Sequence, residues 1–236
     1  MNQLLTIPYQ KGDSFLEVLW VDAALLVINK PAGLRSLPDG YDRSLPYVRL
    51  QLEPPYGRLW MVHRLDKETS GVLVLARSAL AHRFLNTLFE QHQVRKWYHA
   101  LTSGSPEWDR TTVDLPLRPD GDRRHRSVVD PQNGKPAITH LRLLERFPQA
   151  ALVEAQPETG RTHQIRAHLA ALGLPILADT LYGGCALPPM DSLALHAFAL
   201  ELTHPESGQL VRFEAPYPPA FQSAISWLRS QERRPP

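Results

Sequence analysis

Apolar residues recur along the chain with two periods, every second position in some stretches and every third or fourth in others, and these periods predict strands and helices. Residues 15–30, FLEVLWVDAALLVINK, hold two β-rich runs separated by Asp22 and two alanines and closed by the turn signal Pro31-Ala32-Gly33. That is the pattern of a hairpin leading into a loop. Residues 35–57 carry prolines and alternating charges and read as loop, with at most one short helix around 44–52. In LWMVHRLDKETSGVLVLARS the apolar runs 59–62 and 72–76 flank HRLDKETSG, which predicts a polar loop suspended between two core strands. Ser78 is placed to cap a helix whose Leu80, Phe84, Leu85, Leu88 and Phe89 make one buried face and which ends near Gln91. VRKWYHALTSG alternates as a strand does, with Lys96 and Tyr98 on one face.

Downstream, LRPDGDRRHRSVVDPQNGKP reads as a long turn-rich excursion holding Arg118, Arg123, Arg124 and Arg126, offset by Asp120, Asp122 and Asp130. AITHLRLLERF and AALVEAQP read as a second hairpin. RTHQIRAHLAALG follows as a helix, with Ile165, Leu169 and Leu172 facing the core, Arg166 projecting away and Gly173 as its stop. LALHAFALELTH and QLVRFEAP predict two more strands joined at HPESGQ, before a proline-marked helix near 221–228. There is no internal repeat.

Composition narrows the class. The 236 residues, 43% hydrophobic and 21% charged, suit a globular chain with a sizeable core, in one domain or two lobes. A single cysteine, Cys185, excludes a disulfide-stapled scaffold or a zinc ribbon and fits a reducing compartment. The N-terminal MNQLLTIPYQKGD has no leader pattern, and the longest apolar runs fall far short of the roughly 20 residues that span a bilayer. A cytoplasmic, membrane-free protein is expected. The net charge of +2 decides nothing, but 21 Arg against 5 Lys favours phosphate forks and base stacking. High-GC codon usage produces the same skew.

Asp66 is the first candidate for chemistry, since its loop lies between two core strands and His63, Arg64 and Lys67 flank it. A carboxylate among cations stays ionised at neutral pH, which suits a nucleophile better than a proton donor. The alternative is an ordinary aspartate capping a turn. The second cluster is ETGRTHQIRAHL, with Glu158, Arg161, His163, Arg166 and His168, a pattern most often found on a solvated face. His163 and His168 are five apart with no HExxH pattern, so a metal site is not expected. The chain has no Walker loop, no GxGxxG after a strand and no GxSxG elbow, which removes support for nucleotide hydrolysis, dinucleotide binding and serine hydrolysis.

The ordered blocks VINKPAGLRSLPDG, MVHRLDKETSGVLVLARS, VRKWYHALTSG, GKPAITHLRLL, ETGRTHQIRAHLAALGLPILADTLYGG and LALHAFAL cover about 180 residues. Together they resemble a pseudouridine synthase of the RluA family, with HRLD in place of the GRLD of the sister RsuA group. The resemblance implies an α/β fold in which a central, mostly antiparallel mixed sheet carries flanking helices and an active cleft across its face. It also implies a single catalytic domain over residues 1–236, with its core at about 15–222. No cofactor is implied, and RNA is the expected partner of a monomer. The first block begins too close to the N-terminus for the small RNA-binding module of many relatives, so substrate choice is expected from the catalytic domain itself.

By the same resemblance Asp66 is the catalytic aspartate, and Tyr98 stacks on the target uracil. Arg166 pairs with the aspartate, holds it ionised and contacts substrate; Arg64 reaches into the RNA around the extruded nucleotide, and Leu195 packs beneath the base. These types suit a reaction that breaks the bond from ribose to uracil N1, turns the base and rejoins it through C5. Because the uridine is stacked in RNA it must be flipped out, and an aromatic recovers part of the lost stacking. Arg123, Arg124 and Arg126 are expected to grip RNA phosphates, and 35–57 is a second candidate for substrate choice. Layout and GLRSLPDG are nearest the stand-alone branch that accepts short stem-loops of ribosomal or transfer RNA. An RNA-binding or RNA-folding protein without catalysis, or a glycosylase that releases uracil, are the alternatives from other classes.

Overall fold

In the computed structural model, which describes residues 6–8, 15–186, 190 and 192–232, the first alternating run becomes a hairpin. The N-terminal stretch read for a leader lies largely outside those residues. Strand β1 (Thr6–Pro8) pairs antiparallel with β2 (Phe15–Val21), which pairs antiparallel with β3 (Leu25–Lys30). Asp22 makes the turn between the last two: its carboxylate accepts the amides of Ala24 at 2.8 Å and Leu25 at 2.7 Å. Helix α1 is Val48–Tyr56, later than the 44–52 expected. Pro46 disfavours helical geometry at the residue before it, which delays the start. Pro54 and Pro55 sit in the last turn, where their missing amides strand few carbonyls before Gly57, at φ 74°, ends the helix.

Strands β4 (Trp60–Met61) and β5 (Ser70–Ala76) flank a polar loop as expected, but β5 begins two residues earlier than the apolar run and takes in Ser70 and Gly71 of HRLDKETSG, Gly71 pairing with Lys30. Ser78 caps α2 (Ala79–Glu90), its side chain accepting the Ala81 amide, and Gln91 ends the helix. The buried stripe of α2 is narrower than expected. Ala81, Leu85 and Leu88 pack inward with Phe89 beside them, while Leu80 and Phe84 are exposed. The expected face took in every apolar position over a wide arc; the core accepts only the i, i+4, i+7 line at its centre.

Strand β6 (Arg95–Ser103) is followed by β7 (Arg110–Asp114), a short polar strand that the apolar pattern did not mark. Two-residue strands β8 (Leu117–Arg118) and β9 (Val128–Val129) pair at the base of the arginine-rich excursion. The second hairpin is β10 (Ile138–Phe147) with β11 (Ala150–Pro157). Helix α3 (Gln164–Ala171) departs from the amphipathic expectation, because Gln164 through Leu169 are all buried, Arg166 and His168 included, while Leu172 is the exposed C-cap. Its polar members are satisfied. Gln164 donates to the Ile138 carbonyl at 2.9 Å, and the His168 ring nitrogens meet the Thr139 hydroxyl at 2.9 Å and the Leu115 carbonyl at 3.0 Å. Strands β12 (Leu195–Thr203) and β13 (Leu210–Glu214) precede α4 (Pro219–Glu232), which extends beyond the expected 221–228.

The chain divides into two compact units, Met1–Lys96 with Ala197–Pro216 and Trp97–His196 with Tyr217–Pro236. In the first, the strand order is β1-β2-β3-β5-β12, with β4 on β5 and β13 on β12. Its core joins Val27, Val72 and Val74 to Leu85, Leu88 and Leu200. In the second, β6-β11-β10-β7 are hydrogen-bonded neighbours, packed around Leu101, Val153, Ile165, Leu169, Phe221 and Ile225. The pairs β2–β3, β3–β5, β4–β5, β12–β13, β6–β11, β10–β11 and β7–β10 are antiparallel, and the α/β class expected from the sequence is the class found.

Candidate active site

The HRLD loop is fixed by backbone contacts on both sides of Asp66. Leu65 is buried, and the Ser36 hydroxyl both accepts its amide at 3.1 Å and donates to its carbonyl at 2.7 Å. On the other side, the Lys67 carbonyl accepts the Gly33 amide at 2.9 Å and the Lys30 ammonium at 3.1 Å. Gly33 has φ 85°, which suits glycine at the tight turn of Pro31-Ala32-Gly33. The Asp66 carbonyl accepts the Thr69 amide at 3.1 Å and closes the turn. Asp66 is thus held half-buried between an inward Leu65 and an exposed Lys67, which pairs with Glu68 at 3.1 Å, while Arg64 is exposed.

Lys30 is fully buried and donates to three carbonyls, those of Pro31 at 3.0 Å, Leu34 at 2.8 Å and Lys67 at 3.1 Å. Burial pushes its pKa down to about 7, against the attraction of Glu68 and Asp66. Three carbonyl acceptors use all three donors of an ammonium, which favours the charged form. His63 changes the charge expected around Asp66. Its Nε2 accepts the Val74 amide at 3.0 Å and its ring stacks on Phe89 at 4.8 Å. Burial, with a contribution from Lys96, pushes its pKa down to about 3. It is therefore a neutral anchor tying the loop to β5, and not one of the cations flanking the aspartate. Gly71 completes the anchor: its φ is 114°, and a Cβ there would collide with the Ala197 carbonyl of the neighbouring strand.

In the second unit, Tyr98 lies on β6 opposite Ala155 of β11 and packs, partly buried, against the cluster that contains Leu195. Leu195 is 4% exposed. Arg166 is 8% exposed, and its Nε and Nη2 donate to the two carboxylate oxygens of Asp179, each at 2.8 Å. Its guanidinium also lies 5.1 Å from the centre of the Tyr182 ring. The arginines of the excursion differ among themselves. Arg126 forks Asp122 at 2.6 Å, donates to the Leu181 carbonyl at 3.2 Å and lies over Tyr182. Arg124 donates to the Thr180 carbonyl at 2.8 Å, whereas Arg123 is exposed. Asp122 also accepts the Arg124 and Arg126 amides, so it wraps the RRHR run into a turn.

Lys30, Ser36, His63, Asp179 and Tyr182 were not singled out as site residues. Lys30 and Asp179 had a signal, a charged residue at the end of an apolar run, in LLVINK and GLPILAD. Among the described residues no group of three or more His, Cys, Asp or Glu could hold a metal ion, and no helix is long and apolar enough to cross a membrane.

Comparison with known proteins supplies the family. Residues 24–171 match the RNA pseudouridylate synthase family model, a span that includes Asp66, Tyr98 and Arg166. The chain is 39% identical over 228 residues to ribosomal large subunit pseudouridine synthase D of Nitrosomonas europaea, covering 91% of this chain and 66% of that one. It is 38% identical to the dual-specificity RNA pseudouridine synthase RluA of Pasteurella multocida, covering 89% of this chain and 95% of that one. The structure resembles human RNA pseudouridylate synthase domain containing 1, with a TM-score of 0.75 and 26% identity, covering 93% of this chain and 96% of that one. The polar loop between core strands, the blocks around it and the fold that carries them thus have one explanation: this chain belongs to the RNA pseudouridine synthases, a family of RNA isomerases.

Proposed function

We propose that the chain converts uridines of structured RNA to pseudouridine in the cytoplasm, as one catalytic domain and without a cofactor. Asp66 supplies the carboxylate. Ribosomal RNA, transfer RNA or both provide the stem-loops, since a ribosomal and a dual-specificity synthase are among the similar proteins. The observation that carries the reading is the HRLD loop itself. Its backbone is pinned at Leu65 and Lys67, while the residue between them stays half-buried and presents an acid.

In the reaction the bond from ribose C1′ to uracil N1 breaks and one from C1′ to C5 forms; C5 loses its proton and N1 gains one. The rigid loop holds the Asp66 carboxylate ready before the uridine arrives, which lowers the entropic cost of reaching the reacting geometry. On this reading Tyr98 stacks on the flipped uracil and Leu195 packs beneath it. Arg166 contacts the substrate with guanidinium donors outside its Asp179 fork, and Arg64 enters the RNA beside the extruded nucleotide. Arg123, with the outer donors of Arg124 and Arg126, contacts phosphates.

Carbodiimide mapping of unmodified ribosomal and transfer RNA tests the proposal. New primer-extension stops are expected after treatment with wild-type protein and none with Asp66→Ala. Stops with neither, while both bind the RNA equally, would favour an RNA-binding protein without catalysis.

A further inference from the structure

The turn after α3 is built around the arginine of that helix. Asp179 is 2% exposed, and it does more than pair with Arg166: its Oδ1 also accepts the amides of Leu181 and Tyr182, each at 3.2 Å. Its carbonyl accepts the amides of Tyr182 at 3.2 Å and Gly184 at 2.8 Å. Gly184 has no room for a side chain, since a Cβ there would collide with the Ile176 carbonyl. The turn is therefore closed on itself, with one carboxylate as its hub and one guanidinium as its cargo.

The excursion clamps this turn from outside. Arg124 takes the Thr180 carbonyl and Arg126 the Leu181 carbonyl, while the Tyr182 hydroxyl donates to the Ser127 carbonyl at 2.9 Å. The Tyr182 ring lies against both guanidiniums, 5.1 Å from Arg166 and 5.6 Å from Arg126. A bidentate carboxylate occupies one edge of a five-donor guanidinium and fixes its plane, so the remaining donors point in set directions.

We propose that Asp179 is a positioning residue for Arg166, and that Tyr182 and Arg126 extend this positioning to the excursion. The inference rests on the reading of Arg166 as a substrate contact. Asp179 then sets where the guanidinium meets the flipped uridine. Arg126 links that placement to the segment expected to touch RNA, and its turn-holding role adds to any phosphate contact.

The test is a double-mutant cycle on single-turnover pseudouridine formation at saturating RNA, with RNA affinity measured in parallel. Asp179→Asn keeps the shape of the side chain and removes its charge. It is expected to slow the step about 10–100-fold, as a small misplacement of a reacting group does, while RNA affinity changes less than about threefold, well below the salt-dependent phosphate contribution. In an Arg166→Met background the same change is expected to cost nothing further, because residues acting through one group are not additive. An undiminished rate in Asp179→Asn, or an equal loss with and without Arg166, would overturn the proposal; the second result marks a merely structural role. If Asp179→Asn does not fold, Arg126→Gln carries the test through the same cycle, with a smaller loss of the same non-additive form. Inactive wild-type protein would instead count against the proposed function, so the two failures are distinguishable.

Discussion

At the scale of single residues, the HRLD tetrad divides its labour by burial. Leu65 is sunk into the protein, Arg64 is exposed, Asp66 lies between them, and His63 is locked by Val74 and Phe89. The tetrad was legible as chemistry, but the state of its histidine was not: burial and an amide donor decide that, and both come from β5. The neutral ring gives stability a pH dependence. An unfolded imidazole titrates near about 6.5, whereas the folded one is held at about 3. Between these values the unfolded chain binds the extra proton. The His63 contribution is thus complete above the unfolded value and is lost as pH falls toward the folded one. Denaturant unfolding at pH 4 to 7 should give a shallower decline for His63→Gln than for wild type, by at most ~1.4 kcal/mol per pH unit. Identical slopes would mean that the ring is not held neutral.

At the scale of elements, the hairpins and the N-cap of α2 were readable because alternation and a capping serine are local signals. Helix α3 was not. Its sequence shows three apolar positions on one side, yet Gln164, Arg166 and His168 are buried as well, each satisfied by a distant partner such as Thr139, Leu115 or Asp179. Burial of a polar face depends on those partners, and a periodicity cannot announce them. The same holds for Lys30, which ends an apolar strand and ties the Pro31-Ala32-Gly33 turn to the aspartate loop. Lys30→Met should leave the Pro31 and Leu34 carbonyls without this donor, while the Lys67 carbonyl keeps the Gly33 amide. We expect a loss of ~2 kcal/mol or more in urea unfolding, since each buried unsatisfied group costs ~1–3 kcal/mol. A loss below ~1 kcal/mol would show that water or a backbone shift replaces the ammonium.

At the scale of the molecule, a net charge of +2 is too small to attract RNA by itself, and binding rests on where individual cations lie. The excursion looked like one cationic grip, but its charges are divided: Arg118 pairs with Asp130, Arg126 with Asp122, and Arg123 is exposed. Arg123→Ala should make the dependence of log affinity on log salt shallower by ~0.7–0.9, the share of one phosphate contact. An unchanged slope in filter-binding titrations would remove Arg123 from the RNA interface. The central claim, that Asp66 makes this chain an isomerase of RNA uridine, is tested most directly by tritium release from ribosomal and transfer RNA transcripts carrying 5-tritiated uridine. Wild-type protein should release tritium in step with pseudouridine formed, and Asp66→Asn none. Release by neither protein, with RNA binding intact in both, would contradict the account, as would free uracil in place of pseudouridine.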